Sequence, residues 1–249
     1  MTNPSLIPFN RNAIQPVECL KDGWALIKNQ YWLIFAMCLV GQMISSAVPI
    51  ILTAPMMCGL FITFFKLRRG EPIEFGTLFK GFDHFGQSVI AALLHFVPII
   101  VIIVPAYVLF YVFFFLAMVA GGGNEPNPAA MFGVMAIFAL FWIVVMAVVM
   151  IISIGFMFAY PLIVDRGLSG FDAVKLSFKA AMANFWRLFG LMILGFLLNL
   201  GGVLLCIVGV YLVVPIIYAS FAVAYEQVFG LNTSGNVGPD VPPPPPVFT

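Results

Sequence analysis

From Ser88 to Val164 the only formal charge in the chain is that of Glu125. Two uninterrupted apolar runs, 88–119 and 130–164, lie on either side of the Gly/Pro-rich stretch "GGGNEPNP" that holds it. In water a helix of such composition would have no polar face to present, so runs of this length fit a lipid bilayer. Further apolar runs fall at 31–54, 55–67, 187–207 and 210–229, which gives six transmembrane helices. The hairpin between the first two lies in "SSAVPIILTAP", and the second is long enough to span only if it starts near Pro49; a re-entrant pair is the alternative for 31–67. Composition supports the same conclusion: 63% of residues are hydrophobic and 8% charged, against about a quarter charged in an ordinary soluble domain. The amino-terminal fifteen residues have neither a basic start nor a continuous apolar stretch, so the expectation is a chain inserted through its own helices rather than behind a cleaved signal peptide.

The charges that remain are placed unevenly. With the amino terminus inside, six spans put 1–30, 66–87, 165–187 and 230–249 on the cytoplasmic side, and these segments hold all eleven Lys and Arg residues of the chain. The outer turns hold none, in keeping with the positive-inside rule. A net charge of +1 gives no general attraction for nucleic acid.

A unit recurs along the chain. Val17, Leu20, Trp24, Ile27 and Tyr31 share one helical stripe, with Glu18, Lys21, Asp22 and Lys28 off it. The same offsets from Phe75 give Leu78, Phe82, Phe85 and Val89, and from Phe171 give Val174, Phe178, Ala181 and Phe185. A constant shift also pairs Lys21 with Lys175, Trp32 with Trp186, Phe35 with Phe189 and Gly41 with Gly195. The expectation is an all-α polytopic fold of three hairpins, each preceded by an amphipathic helix lying at the cytoplasmic-side interface. It comprises a segment 1–16, a membrane domain 17–230 with pseudo-repeats 17–67, 74–164 and 171–229, and a disordered Pro-rich cytoplasmic tail, 231–249. The five consecutive prolines of that tail favour an extended rod.

The residues offer little chemistry. No nucleophile motif, zinc-binding helix or phosphate loop is present, and Cys19, Cys38, Cys58 and Cys206 lack metal-ligand spacing. No catalytic, cofactor or metal site is therefore expected. His95, the one ionisable group deep in a span, is expected to be neutral and bonded to a backbone carbonyl freed by Pro98. Asp165 is expected to pair with an Arg or cap a turn, Gly167 to permit a sharp reversal, and Glu226 to find a basic partner in another repeat. The runs 88–119 and 130–164 exceed one bilayer thickness and must tilt, break or protrude: Pro98 and Pro105 are candidate breaks in the first, Pro161 ends the second, and Pro215 is among the prolines that give most hairpins an irregular point. Arg166, Lys175, Arg187, Arg68 and Arg69 are candidate contacts for lipid headgroups or a partner. Phe113, Phe114 and Phe115 are the candidate partner surface, because a Phe-rich wall exposed to water would need covering.

Asp165-Arg166-Gly167, followed by Ala173, Ser177, Asn184, Trp186, Arg187, Leu188 and Phe189, with Gly41 and "KLRRG" at 66–70 earlier, resembles a broad bacterial family. That family comprises the multi-span membrane domain found beside some glycerophosphodiester phosphodiesterases and its stand-alone relatives. The resemblance covers 17–229 and implies a six-helix inner-membrane protein rather than a reaction, since no phosphodiesterase domain is attached. The Phe-rich stretch 108–116, the glycine loop and the proline tail depart from the family's pattern. The functional expectation is a non-enzymatic accessory or scaffold subunit of the bacterial inner membrane, partnered by lipids and by other membrane subunits or copies of itself. The alternative is a carrier of lipid or another apolar solute.

Overall fold

The computed structural model describes residues 7–120, 128–204 and 208–232, and every regular element among them is helical. In chain order the α-helices are α1 (Pro16–Ile27), α2 (Tyr31–Ala47), α3 (Pro49–Arg68), α4 (Phe85–Ala120), α5 (Pro128–Phe156), α6 (Ala159–Arg166), α7 (Gly170–Ala183), α8 (Phe185–Leu204) and α9 (Val208–Phe229). A single 3-10 turn, Lys28–Gln30, joins α1 to α2, and a longer 3-10 helix, Phe75–His84, leads into α4. Six stretches are long and apolar enough to cross a bilayer: Pro16–Ala47, Pro49–Arg68, Phe75–Leu116, Met135–Arg166, Phe185–Leu204 and Gly209–Phe229. The protein is a multi-pass membrane protein, built from helices because a spanning segment in lipid has to satisfy its backbone internally. Cys206, the glycine-rich connector with Glu125, and the proline tail fall outside the described residues.

Pro49 starts α3 as the second span requires, whereas Pro98, Pro105 and Pro161 act differently from their sequence expectation. The turn between α2 and α3 is Val48 alone; Pro49 opens α3, where its missing N–H is no loss, and Pro55 lies inside that helix. Pro98 and Pro105 do not break α4, which runs continuously over 36 residues. Pro215 likewise lies inside an unbroken α9. Pro161 does not end its run either. The interruption falls at Met157–Phe158, one turn before it, and Pro161 sits in the first turn of the separate helix α6. The ring of a helical proline clashes with the carbonyl four residues earlier; for Pro161 that carbonyl belongs to Met157.

Consecutive long helices pack as pairs, α2 on α3, α4 on α5, and α8 on α9. The element that precedes each pair packs mainly on the pair before it. The 3-10 helix Phe75–His84 lies on α3, α7 lies on α4, α5 and α6, and α1 returns to α9 and α8. The order is therefore a closed cycle, joined where the first helix meets the last. α2 also touches α9, and α3 touches α4 and α6.

Small residues make these crossings possible. Cys19 and Gly23 of α1, Thr77 and Gly81 of the 3-10 helix, and Ala173 and Ser177 of α7 are all buried. A Cβ at Gly81 would fall on the Pro55 carbonyl, one at Gly59 on the Leu78 carbonyl, and one at Gly23 within 2.8 Å of the Ser220 backbone nitrogen. The sequence stripe accordingly splits. Its larger members Val17, Trp24, Phe75, Phe82, Phe171 and Phe178 are exposed, and the buried face of α1 is Cys19, Gly23 and Ile27. The second copy is 3-10 rather than α-helical, in the segment where Gly81 and Gly59 bring two backbones into contact.

Three helices end alike. α3, α6 and α9 are followed by Gly70, Gly167 and Gly230 with φ of 72°, 61° and 65°, the left-handed conformation that closes a helix and that glycine adopts without strain.

Candidate functional site

The ends of α3, α6 and α9 meet in one charged cluster. Each helix terminus presents unpaired carbonyls and the negative end of its dipole, so three together call for donors and cations. Arg166 supplies them to α9: its Nη2 donates to the carbonyls of Phe229 at 2.9 Å and Gly230 at 3.2 Å. Arg69 Nη2 donates to the Asn232 carbonyl at 3.0 Å. Arg68 pairs with Glu226 at 2.8 Å, which identifies the partner of that carboxylate in the first helix pair.

Asp165 sits at the centre with a side chain that is 0% exposed. Its Oδ2 accepts from the Tyr225 hydroxyl at 2.8 Å and from Arg166 Nε at 3.2 Å, while its Oδ1 accepts from Arg69 Nη2 at 3.5 Å and from the Asn232 N–H at 3.2 Å. A buried carboxylate is tolerated when paired and fully hydrogen-bonded, and this one meets both conditions. Its donors come from α3, α6, α9 and the segment after α9, so the group acts as a clamp on three helix ends. The donors to Asp165 named above all belong to the chain itself and tie the three helix ends together.

A second polar site repairs the break at Met157–Phe158. Ser177 of α7, fully buried, donates to the Gly155 carbonyl at 2.7 Å and accepts from the Phe158 N–H at 3.1 Å. It thus satisfies two backbone groups that the interrupted helix leaves over. The Phe178 ring fills the space where a Cβ at Gly155 would lie.

Near this break His95 stacks on Phe156, with ring centroids 4.6 Å apart, and its Nε2 is buried without a partner. No bond from His95 to a freed backbone carbonyl is found among the described residues, so the expected role of Pro98 in satisfying it is corrected. Stacking, rather than a hydrogen bond, holds this ring. No group of three His, Cys, Asp or Glu residues with metal-binding geometry occurs among the described residues.

The candidate basic residues separate into two sets. Arg68, Arg69 and Arg166 bond within the protein, as above. Lys175 is exposed on α7, and Arg187 at the start of α8 donates to the Ile14 carbonyl at 3.0 Å; neither lies within 4 Å of a carboxylate among the described residues. Phe113, Phe114 and Phe115 are exposed on the distal part of α4, where Phe110 stacks on Phe138 of α5. Tyr225, Asn232 and Ser177 were missing from the expected site. A tyrosine directly before Glu226 in an otherwise apolar run was the available signal for the first; Asn232 joins through its backbone, which leaves no side-chain signature.

Compared with protein-family models, curated proteins and solved structures, the chain matches none.

Proposed function

We propose that the protein is a non-enzymatic scaffold or accessory subunit of a bacterial inner-membrane assembly, with both termini cytoplasmic, and that the α4–α5 pair carries its partner surface. The observation that supports this reading is the mismatch between that pair and the rest of the chain. At 36 residues α4 is about 54 Å long, whereas the 20 residues of α3 extend about 30 Å, the thickness of a hydrocarbon core. The most apolar windows of the chain, with mean hydropathy 2.8 and 3.0, lie on these two helices, and only 6% of each window is buried within the chain. One bilayer thickness suits α3 and leaves the distal part of α4, with Phe113, Phe114 and Phe115, to be covered by tilt or by another protein. Its aromatic composition favours protein.

The closed polar cluster around Asp165 supports a structural role over a catalytic one. The residues behind the resemblance to the membrane domain of glycerophosphodiester phosphodiesterases include Asp165, Arg166, Ser177, Asn184 and Arg187. All five make contacts between distant parts of the chain, which suits a family defined by its architecture.

Purification in mild detergent tests the proposal. A hetero-complex or defined oligomer is expected, and replacing Phe113, Phe114 and Phe115 together by Ser should release the partner while the monomer stays folded. A stable monomer that brings no other protein with it would overturn the reading.

A carrier of lipid or another apolar solute is the second reading, favoured by the helix break at Met157–Phe158, since broken helices recur in transporters. Reconstituted vesicles that move no lipid or solute faster than protein-free vesicles would eliminate it.

A further inference from the structure

Arg68, Arg69 and Arg166 are paired with carboxylates of the chain, whereas other cations among the described residues are not. Two of these, Lys21 of α1 and Arg187 of α8, line an open groove of about 500 Å³ at the start of α1. Its wall includes Ile14, Pro16 and Val17, and Glu18 lies in the same groove. Arg187 is held in place by one N–H on the Ile14 carbonyl, and its planar fork presents further N–H groups. Among the described residues neither cation has a carboxylate within 4 Å, and Glu18 has no basic side chain within that distance. With its amide nitrogen turned toward Glu18, Gln15 donates to that carboxylate at 2.7 Å and fixes it at the rim.

Two cations and one carboxylate in a single groove match a zwitterion better than a simple anion. A phosphate diester suits Arg187, which can bind it through two parallel N–H bonds, and Lys21 adds a point charge. The positive end of the α1 dipole reinforces both. A primary ammonium carried by the same headgroup suits Glu18, which lines the same groove. Val17 in the groove wall, Trp24 on the same stripe of α1 and Trp186 next to Arg187 in the chain are 55%, 46% and 79% exposed, apolar and aromatic groups of the kind found where headgroups give way to acyl chains.

We propose that the groove between the starts of α1 and α8 binds the headgroup of an aminophospholipid, with its phosphate on Arg187 and Lys21 and its ammonium on Glu18. The inference rests on the reading that the start of α1, beside the Gln227 end of α9, lies at headgroup level, and is independent of the partner surface on α4.

The test uses the full chain in mild detergent, incubated with mixed micelles of equal phosphatidylethanolamine and phosphatidylglycerol, with retained lipid counted by native mass spectrometry. Retention of the ethanolamine lipid is expected to exceed that of the glycerol lipid by about tenfold, the effect of one charge-assisted contact. Glu18→Gln should bring the ratio close to one while total lipid is kept, and Lys21→Ala should lower the retention of both. Arg187→Ala should do the same, with Arg187→Lys retained as the variant that keeps the charge if the loss of the Ile14 bond unfolds the chain. Equal retention by the unaltered chain, or a ratio unmoved by Glu18→Gln, would overturn the site. Displacement of the lipid by millimolar soluble phosphoethanolamine would make the ligand a free phosphate ester and overturn its lipid identity. Quenching of Trp24 fluorescence by brominated lipid, measured with the other tryptophans replaced by Phe, checks the level of α1. An unquenched Trp24 would overturn the placement and the site together, whereas quenching with equal retention would overturn the site alone.

Discussion

At the scale of single residues, Asp165 is the most consequential side chain in the protein. Its carboxylate is inaccessible and holds donors from three helix ends, so its removal would leave Arg69 and Arg166 without their counter-charge. Asp165→Ala is expected to destabilise the fold by roughly 3–5 kcal/mol, the range for breaking one partner out of a buried pair. Tyr225→Phe, which removes one donor and leaves the pairs intact, should lose about 1 kcal/mol. Thermal unfolding in detergent would rank them, and equal midpoints for the two variants would refute the clamp. Ser177→Ala leaves the Phe158 N–H and the Gly155 carbonyl unpaired at the helix break and should lower stability by roughly 1–3 kcal/mol, a loss visible in the same melt. Asp165 could be singled out from the sequence because it interrupts an apolar region, and Arg166 and Gly167 because a reversal needs them. Tyr225 carried only the signal of a hydroxyl directly before Glu226, and Ser177 entered only through the family resemblance, since a lone hydroxyl in a greasy run looks the same whether it bonds within its own turn or across the molecule.

At the scale of elements, the crossings depend on small residues, and the glycines discriminate sharply among sites. Gly81→Ala places a methyl on the Pro55 carbonyl and should unseat the 3-10 helix from α3, whereas Gly76→Ala in the same helix meets open space. Loss of folded yield for the first and near-normal yield for the second is the expected outcome; similar yields would show that the close approach is relaxed in the membrane. The sequence periodicity located all three short elements and turned their large apolar residues toward lipid, but it did not show which face meets the protein. A stripe of large apolar residues registers as a buried face in water, and in a membrane protein the same stripe can face outward while Gly, Cys, Thr and Ser make the protein contact. The 3-10 form of Phe75–His84 was not legible either, because it follows from where α3 lies. Hydropathy alone left Pro98 and Pro105 ambiguous; in the fold α4 passes through both without interruption.

At the scale of the whole molecule, the distinctive feature is that the first helix closes on the last. Cys19 Sγ lies 3.2 Å from Gln227 Oε1, and the Gln15 N–H donates to the same oxygen at 3.0 Å. With Cys38, Cys58 and Cys206 replaced by Ala, Gln227→Cys should form a disulfide with Cys19 on oxidation, since the two side chains are already in contact. A protease site inserted in the connector 121–127 would then yield two fragments that remain linked on a denaturing gel. Fragments that separate would disprove the closure. Six spans and the clustering of basic segments at one end were legible from hydropathy and charge, because lipid imposes both on any chain. The cyclic order was not, because it depends on contacts between segments at opposite ends of the sequence.

That closure also bears on how the protein is made. The buried face of α1, Cys19-Gly23-Ile27, leaves the ribosome roughly 200 residues ahead of its seat on α9. At about 5–20 residues per second the seat arrives on the order of ten seconds or more later. Until then a small-residue seam stands open to any passing helix, so the nascent chain needs shelter, and a truncation that removes α9 would orphan the first helix as well as the last.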